Sequence, residues 1–172
     1  QTCALPILEP LTAKNCVFRI YRDVRFSKNK DPYKTNFGAA ITPGGRKSPL
    51  GTYYVHISPG ESFVAGGMYM PESKVLKKVR QEIDYNTDEF RAIIKSKAFK
   101  HYFGELHGEQ LKTSPKEYPN DHPAIDLLRY KGFTGIHQVT DERVLKEDFS
   151  DHVMEVFTAV KPLNDFLNRA LD

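Results

Sequence analysis

The chain has 172 residues, of which 40% are hydrophobic, 12% aromatic and 27% charged, with a net charge of +3. That composition is globular, and one domain of this size buries about 70% of its unfolded surface. No apolar run approaches the about 20 residues of a membrane-spanning helix, and a pI of 8.8 is too low for bulk coating of nucleic acid. Two cysteines cannot form a disulfide framework, and the N-terminus carries no basic and apolar leader, so a cytoplasmic protein is expected.

Residues 17–26 alternate, with Phe18, Ile20, Val24 and Phe26 on one side and Val17, Arg19, Tyr21, Asp23 and Arg25 on the other. This pattern predicts a strand. Arg22 falls on the apolar side, where a carboxylate or carbonyl partner is expected for its guanidinium. Short strands are predicted near 37–41, 52–57 and 62–69, separated by the Pro-Gly-rich loop 43–49 and the turn Ser58-Pro59-Gly60-Glu61. Gly66-Gly67 inside the last of these marks a bulge or a close backbone approach.

The period then changes. Val75, Leu76, Val79 and Ile83 fit a helix opened by Pro71, and Phe90, Ile93 and Ile94 fit another after Asn86-Thr87. A third helix over 97–103 ends at Gly104, residues 111–116 form a loop, and Asp121 is placed to cap a helix with Pro123 in its first turn. A strand at 133–139 is followed by an amphipathic C-terminal helix built on Val153, Val156, Phe157, Val160, Leu163, Phe166 and Leu167, kinked or restarted at Pro162. Strands first and helices afterwards predict a single α+β domain: a mainly antiparallel sheet of four or five strands with helices packed on one face.

Charge is unevenly distributed. Residues 19–36 hold six cations and two acids, +4 against +3 for the whole chain, whereas 141–172 hold eight acids and four bases. One local electropositive surface follows. Its candidate ligand-binding residues are Arg19, Arg22, Asp23, Arg25, Lys28, Lys30, Tyr33, Lys34 and Asn36. Guanidinium and ammonium groups suit phosphate or carboxylate, and Tyr33 suits stacking on a base or sugar. Arg19 and Arg25 lie about 20 Å apart on a straight strand, too far to grip one phosphate together. Asp23 is near enough to Arg25 to pair with it, which gives the competing reading of a charge network that only stabilises the sheet. Arg46-Lys47 and Lys112–Lys116 are secondary basic loops.

The run Arg19-x-x-Arg22-Asp23-x-Arg25-Phe26, followed by Ser27-Lys28-Asn29-Lys30-x-Pro32-Tyr33-Lys34-Thr35, resembles the signature of a bacterial family of conserved hypothetical proteins, domain of unknown function 2461. Tyr54-x-His56-Ile57-x-Pro59-Gly60-Glu61-Ser62-Phe63, Gly66-Gly67-x-Tyr69-Met70-Pro71, Asp121-His122-Pro123-Ala124-Ile125 and Lys161-Pro162-Leu163-Asn164-Asp165-Phe166 are similar to later segments of that family. The resemblance covers 16–172 and implies no established activity. It also implies an N-terminal helical segment with a Trp-containing motif; this chain has no Trp, so a truncated start is expected. Residues 1–7 back-translate to the end of a sequencing adapter and are expected to be non-native, with the domain running over 8–172.

No Ser-His-Asp, Cys-His or phosphate-loop spacing is legible around the candidate acid–base residues Asp23, His56, Glu61, Asp121 and His122. The six histidines are scattered without His-x-x-x-His or Cys-x-x-Cys spacing, so neither a metal nor a cofactor is expected. The function expected is binding of an anionic small molecule at 19–36, within an enzyme or outside one. The alternatives are nucleic-acid binding on the same surface, with Tyr21 and Tyr33 stacking on bases, and a structural or partner-binding module.

Overall fold

The computed structural model describes residues 11–26 and 28–172; the expectation for residues 1–7 lies outside them. Four strands, β1 (Phe37–Ile41), β2 (Thr52–Ile57), β3 (Ser62–Met68) and β4 (Phe133–Val139), form one antiparallel sheet in the order β1-β2-β3-β4. The β2–β3 turn closes with a Glu61 N–H to Ser58 carbonyl bond of 2.9 Å, and Gly60 supplies the positive φ of 73° that the turn requires. Ser62 Oγ accepts from Ser58 N–H and donates to Ser58 O, which satisfies that buried corner.

Between β3 and β4 the chain makes α2 (Ser73–Tyr85), α3 (Thr87–Lys95), α4 (Lys97–Phe103) and the single turn α5 (Ile125–Leu128). A one-turn helix α6 (Asp141–Val144) and the long α7 (Phe149–Arg169) follow β4, and α1 (Ala13–Cys16) precedes the sheet. Among the described residues, no helix is long and apolar enough to cross a membrane. The fold is a single α+β domain with helices packed against one sheet face.

The period-2 alternation of the strands divides the sheet faces. Tyr53, Val55 and Val64 point toward the helices, where Tyr53 packs on Phe157 with ring centres 5.0 Å apart. α7 crosses β3 so closely that a Cβ on Gly66 would lie 2.4 Å from Val160 Cγ1, and a Cβ on Gly135 would lie 2.8 Å from the Phe103 ring. Gly67 fulfils the expected close approach as well, since at φ 127° a Cβ there would lie 2.0 Å from Phe133 O. Phe90 completes the core against Phe166 and Phe133 at 5.1 and 5.8 Å.

Three expectations change. Residues 17–26 do not form a strand: Val17 bridges to Ala39 and Tyr21 to Tyr33, with bonds from Phe18 N–H to Gly38 O, Lys34 N–H to Ile20 O and Arg22 N–H to Pro32 O. Pro32 has no N–H to return, and among the described residues the apolar side of the alternation is poorly covered: Phe18 packs on Tyr54, but Ile20 is 40% and Phe26 95% exposed. Residues 18–26 and 28–36 instead fold back on each other as an arm. Asp121 is exposed and does not cap α5; Ala124 takes the N-cap position and its N–H donates to His122 Nδ1. α7 begins at Phe149 and runs unbroken through Pro162, because Val156, Phe157, Val160, Leu163, Phe166 and Leu167 all bury on one side.

The first turns of α7 are tied to β4 by His152 Nε2 and His137 Nε2, 3.1 Å apart. Burial, His137 and Arg143 hold the His152 imidazole below its ordinary pKa, opposed by Glu155 and Asp148. A depressed histidine binds fewer protons folded than unfolded. Its contribution to stability is therefore complete above the unfolded value of about 6.5 and is lost as the pH falls below it. Denaturation midpoints measured in steps from about pH 7.5 to about pH 5 should fall with acid, and more steeply than in His152→Gln. Separately, Gly66→Ala should cost about 1–3 kcal/mol by overpacking, measured by urea unfolding. Val160→Ala in the same chain should recover part of that loss.

Candidate functional site

Among the described residues no helix layer covers the second sheet face, and across it runs a groove of about 670 Å³. Its floor is made of small side chains brought level by the strand register: Ala40 on β1, Ala65 and Gly67 on β3, and Thr134 on β4. One wall is Phe18 with the loop from Arg46 to Leu50, and the other is Tyr69, Met70, Pro71 and Glu72. Tyr54 and Phe63 provide aromatic surface at the end near the arm, 5.7 Å apart.

Tyr54 is the best supported of these side chains. Its ring meets Phe18 edge-on at 6.2 Å, and its hydroxyl lies 3.2 Å from His56 Nδ1. Gly38 makes room for that hydroxyl, because a Cβ there would come within 2.7 Å of it. Burial pushes the Tyr54 phenol above its ordinary pKa, so it stays a protonated donor at neutral pH. His56 stacks on Phe63 at 4.8 Å and also meets Asn36 Nδ2 at 3.4 Å, so the half-buried sheet histidine joins the arm to the open face.

Two cations stand at the rim, Arg46 and Lys47. Arg46 Nη1 donates to Val17 O at 2.8 Å and its guanidinium lies 5.2 Å from the Phe18 ring centre, which pins the root of the arm to the groove. Glu72 is the acid on the facing wall.

The arm itself distributes its charge. Arg25 pairs bidentately with Asp23 at 2.6 and 2.9 Å, which holds the Asp23 carboxyl below the usual carboxylate range and raises Arg25. Lys30 Nζ donates to Val24 O at 2.8 Å. Arg19, Lys28 and Tyr33 are exposed, Lys34 and Arg22 half-buried. Among the described residues Arg22 has no carboxylate partner. Tyr21 and Tyr33 lie side by side at 5.5 Å. Within the candidate set, then, Asp23 meets Arg25 and Asn36 reaches the sheet.

The comparison with known families matches the model of a conserved hypothetical protein, DUF2461, over residues 4–166. The chain belongs to the DUF2461 family. No curated protein and no solved structure matches it significantly. For this DUF2461 chain the signature residues of the arm were visible as a charge run, whereas the groove was not. Its floor is built from Ala40, Ala65, Gly67 and Thr134, which carry no signal singly, and Gly66-Gly67 was the one local hint.

Of the other sequence candidates, Glu61 and Asp121 are exposed, and His122 Nε2 pairs with Asp84 at 2.9 Å while its Nδ1 accepts from Ala124, a strap between the loop and α2. A second cleft of about 580 Å³ beside α2 contains Arg80, whose guanidinium is committed to the carbonyls of Leu128 and Tyr130. Because Arg25 and Asp23 are 75% and 41% exposed, their pair contributes little to stability. Arg25→Ala should leave the thermal midpoint within the scatter of repeated scans; a clear drop would identify the arm as a structural network.

Proposed function

We propose that this protein binds a small anionic molecule in the open-face groove, with a phosphate or carboxylate at Arg46 and Lys47 and an apolar or ring-shaped body over Ala40, Ala65 and Gly67. The observation that carries the reading is the groove itself: a concave surface of ligand size, with an apolar floor, aromatic walls and a few charged groups at its margin. The arm cations Arg19, Lys28, Lys30 and Lys34 add a positive field that draws an anion toward the same end. Tyr54 offers a hydroxyl to the bound body, and Glu72 suits a hydroxyl or amine on its far side. Buried, free Cys16 suits the reducing interior of a bacterial cell.

Tyr21 and Tyr33, exposed together on the cationic arm, favour a second reading in which single-stranded nucleic acid stacks there. Salt separates the two, since phosphate-backbone binding weakens steeply with ionic strength and a pocketed small ligand responds less.

A thermal-shift panel of inorganic phosphate, sugar phosphates, nucleoside monophosphates, aromatic carboxylates and a short oligonucleotide tests both. A small anion should raise the midpoint. Lys47→Ala should weaken that ligand about tenfold, the loss of one charge-assisted hydrogen bond, and Ala65→Leu should abolish binding by filling the floor. Retained affinity in both variants would remove the groove from consideration.

A further inference from the structure

The sequence scatters six histidines, but the fold brings two of them together. His137 on β4 and His152 on α7 face each other through Nε2 at 3.1 Å, on the helix side of the sheet and away from the groove. In the neutral pair one Nε2 carries the proton of that hydrogen bond. The surroundings also prepare a second state. His137 Nδ1 lies 2.9 Å from the Tyr102 carbonyl, which can only accept, so Nδ1 carries the hydrogen and Nε2 presents its lone pair toward His152. Behind the other ring, Glu155 Oε2 lies 3.8 Å from His152 Nδ1, and the Tyr102 hydroxyl donates to the same oxygen at 3.2 Å.

A carbonyl behind one imidazole and a carboxylate behind its neighbour form the outer shell that orients metal-bound histidines. Two nitrogens at about 2.0–2.1 Å from one tetrahedral zinc are separated by about 3.3 Å, within a few tenths of an ångström of the spacing found. We propose that His137 and His152 bind a divalent transition-metal ion of the zinc class through their Nε2 atoms. Binding moves the single ring proton of His152 from Nε2 to Nδ1 by exchange with solvent, with no net change in protons bound, leaves His152 as the Nδ1–H tautomer facing Glu155, and replaces a hydrogen bond between β4 and α7 by two coordinate bonds. No group of three or more His, Cys, Asp or Glu among the described residues is arranged to hold a metal. The remaining coordination positions therefore belong to water; the His152 side chain is 15% exposed.

Several charged groups act on the pair. Glu155 and Asp148 favour a cation there, and Arg143 opposes it. Arg143 is itself engaged with Asp148 at 2.5 Å, which moderates its repulsion.

Calorimetric titration of the whole chain with zinc chloride at about pH 7.5, where free imidazole is neutral, tests the proposal. One Zn²⁺ per chain is expected, with a rise in thermal midpoint. His152→Gln and His137→Gln should each weaken binding at least tenfold, and Glu155→Gln by about 10-fold as an outer-shell change. Absence of binding to the wild-type chain, or undiminished binding in the histidine variants, would overturn it. Because the histidine variants remove a contact within the fold, imidazole resonances of the wild-type chain provide the second measurement. Zinc should shift the signals of His137 and His152 first; shifts confined to the other histidines would refute the site.

Discussion

The close passage of α7 over the middle of β3 is the constraint on which the rest of the molecule depends. Val160 occupies the space that a side chain at Gly66 would need. That contact lowers the helix onto the sheet, seats Phe157 on Tyr53 and brings Phe166 to Phe90. Gly135 does the same for α4 by admitting Phe103. The aromatic residues then fill one layer between sheet and helices, where dispersion and apolar burial favour dense packing. The largest apolar side chains are spent on that face, so the opposite one keeps alanine, glycine and threonine at its centre. The groove is thus the complement of the core, produced by the same alternation that builds it.

A four-stranded open sheet has two edges, and unpaired strand edges invite further pairing. Both are partly covered by short irregular segments. On the β4 side, His107 and Thr134 exchange backbone bonds of 2.7 and 2.9 Å. On the β1 side, Val17 and Phe18 meet Ala39 and Gly38 before the chain leaves as the arm. This explains why 17–26 misled a pattern-based reading. Alternation reports which side chains could share a face, whereas a strand also needs a partner backbone along its length and a covered face to bury. Residue 17 has the first, whereas, among the described residues, 23–26 make no backbone bond to a partner segment.

What was legible follows the same physics. The four strands and α2–α4 each carry a local period and a boundary signal, and their positions were readable from those alone. α1, α5 and α6 are single turns, too short for a period to be expressed. Pro162 does not break the helix, because a proline's missing hydrogen bond is a local cost set against eight buried residues along α7. The site divides similarly: a run of cations is visible in one dimension, while a floor made of Ala40, Ala65, Gly67 and Thr134 exists only after three pairings fix their register. The His137–His152 contact was hidden for the same reason, since a strand and a helix must dock before the two rings meet.

Arg46 is where these two histories join. Its Nη1 holds the Val17 carbonyl and its guanidinium lies against Phe18, while Phe18 in turn touches Tyr54 at the groove. A guanidinium carries five N–H donors, and the Val17 bond uses one. An anion received at the proposed position would therefore bind without breaking the arm's anchor and would add its own bonds to the same planar group. Side-chain entropy that Arg46 has already given up in holding Val17 is not lost again when a ligand arrives. The arm's charge and the groove's shape are thus coupled through one residue that serves both.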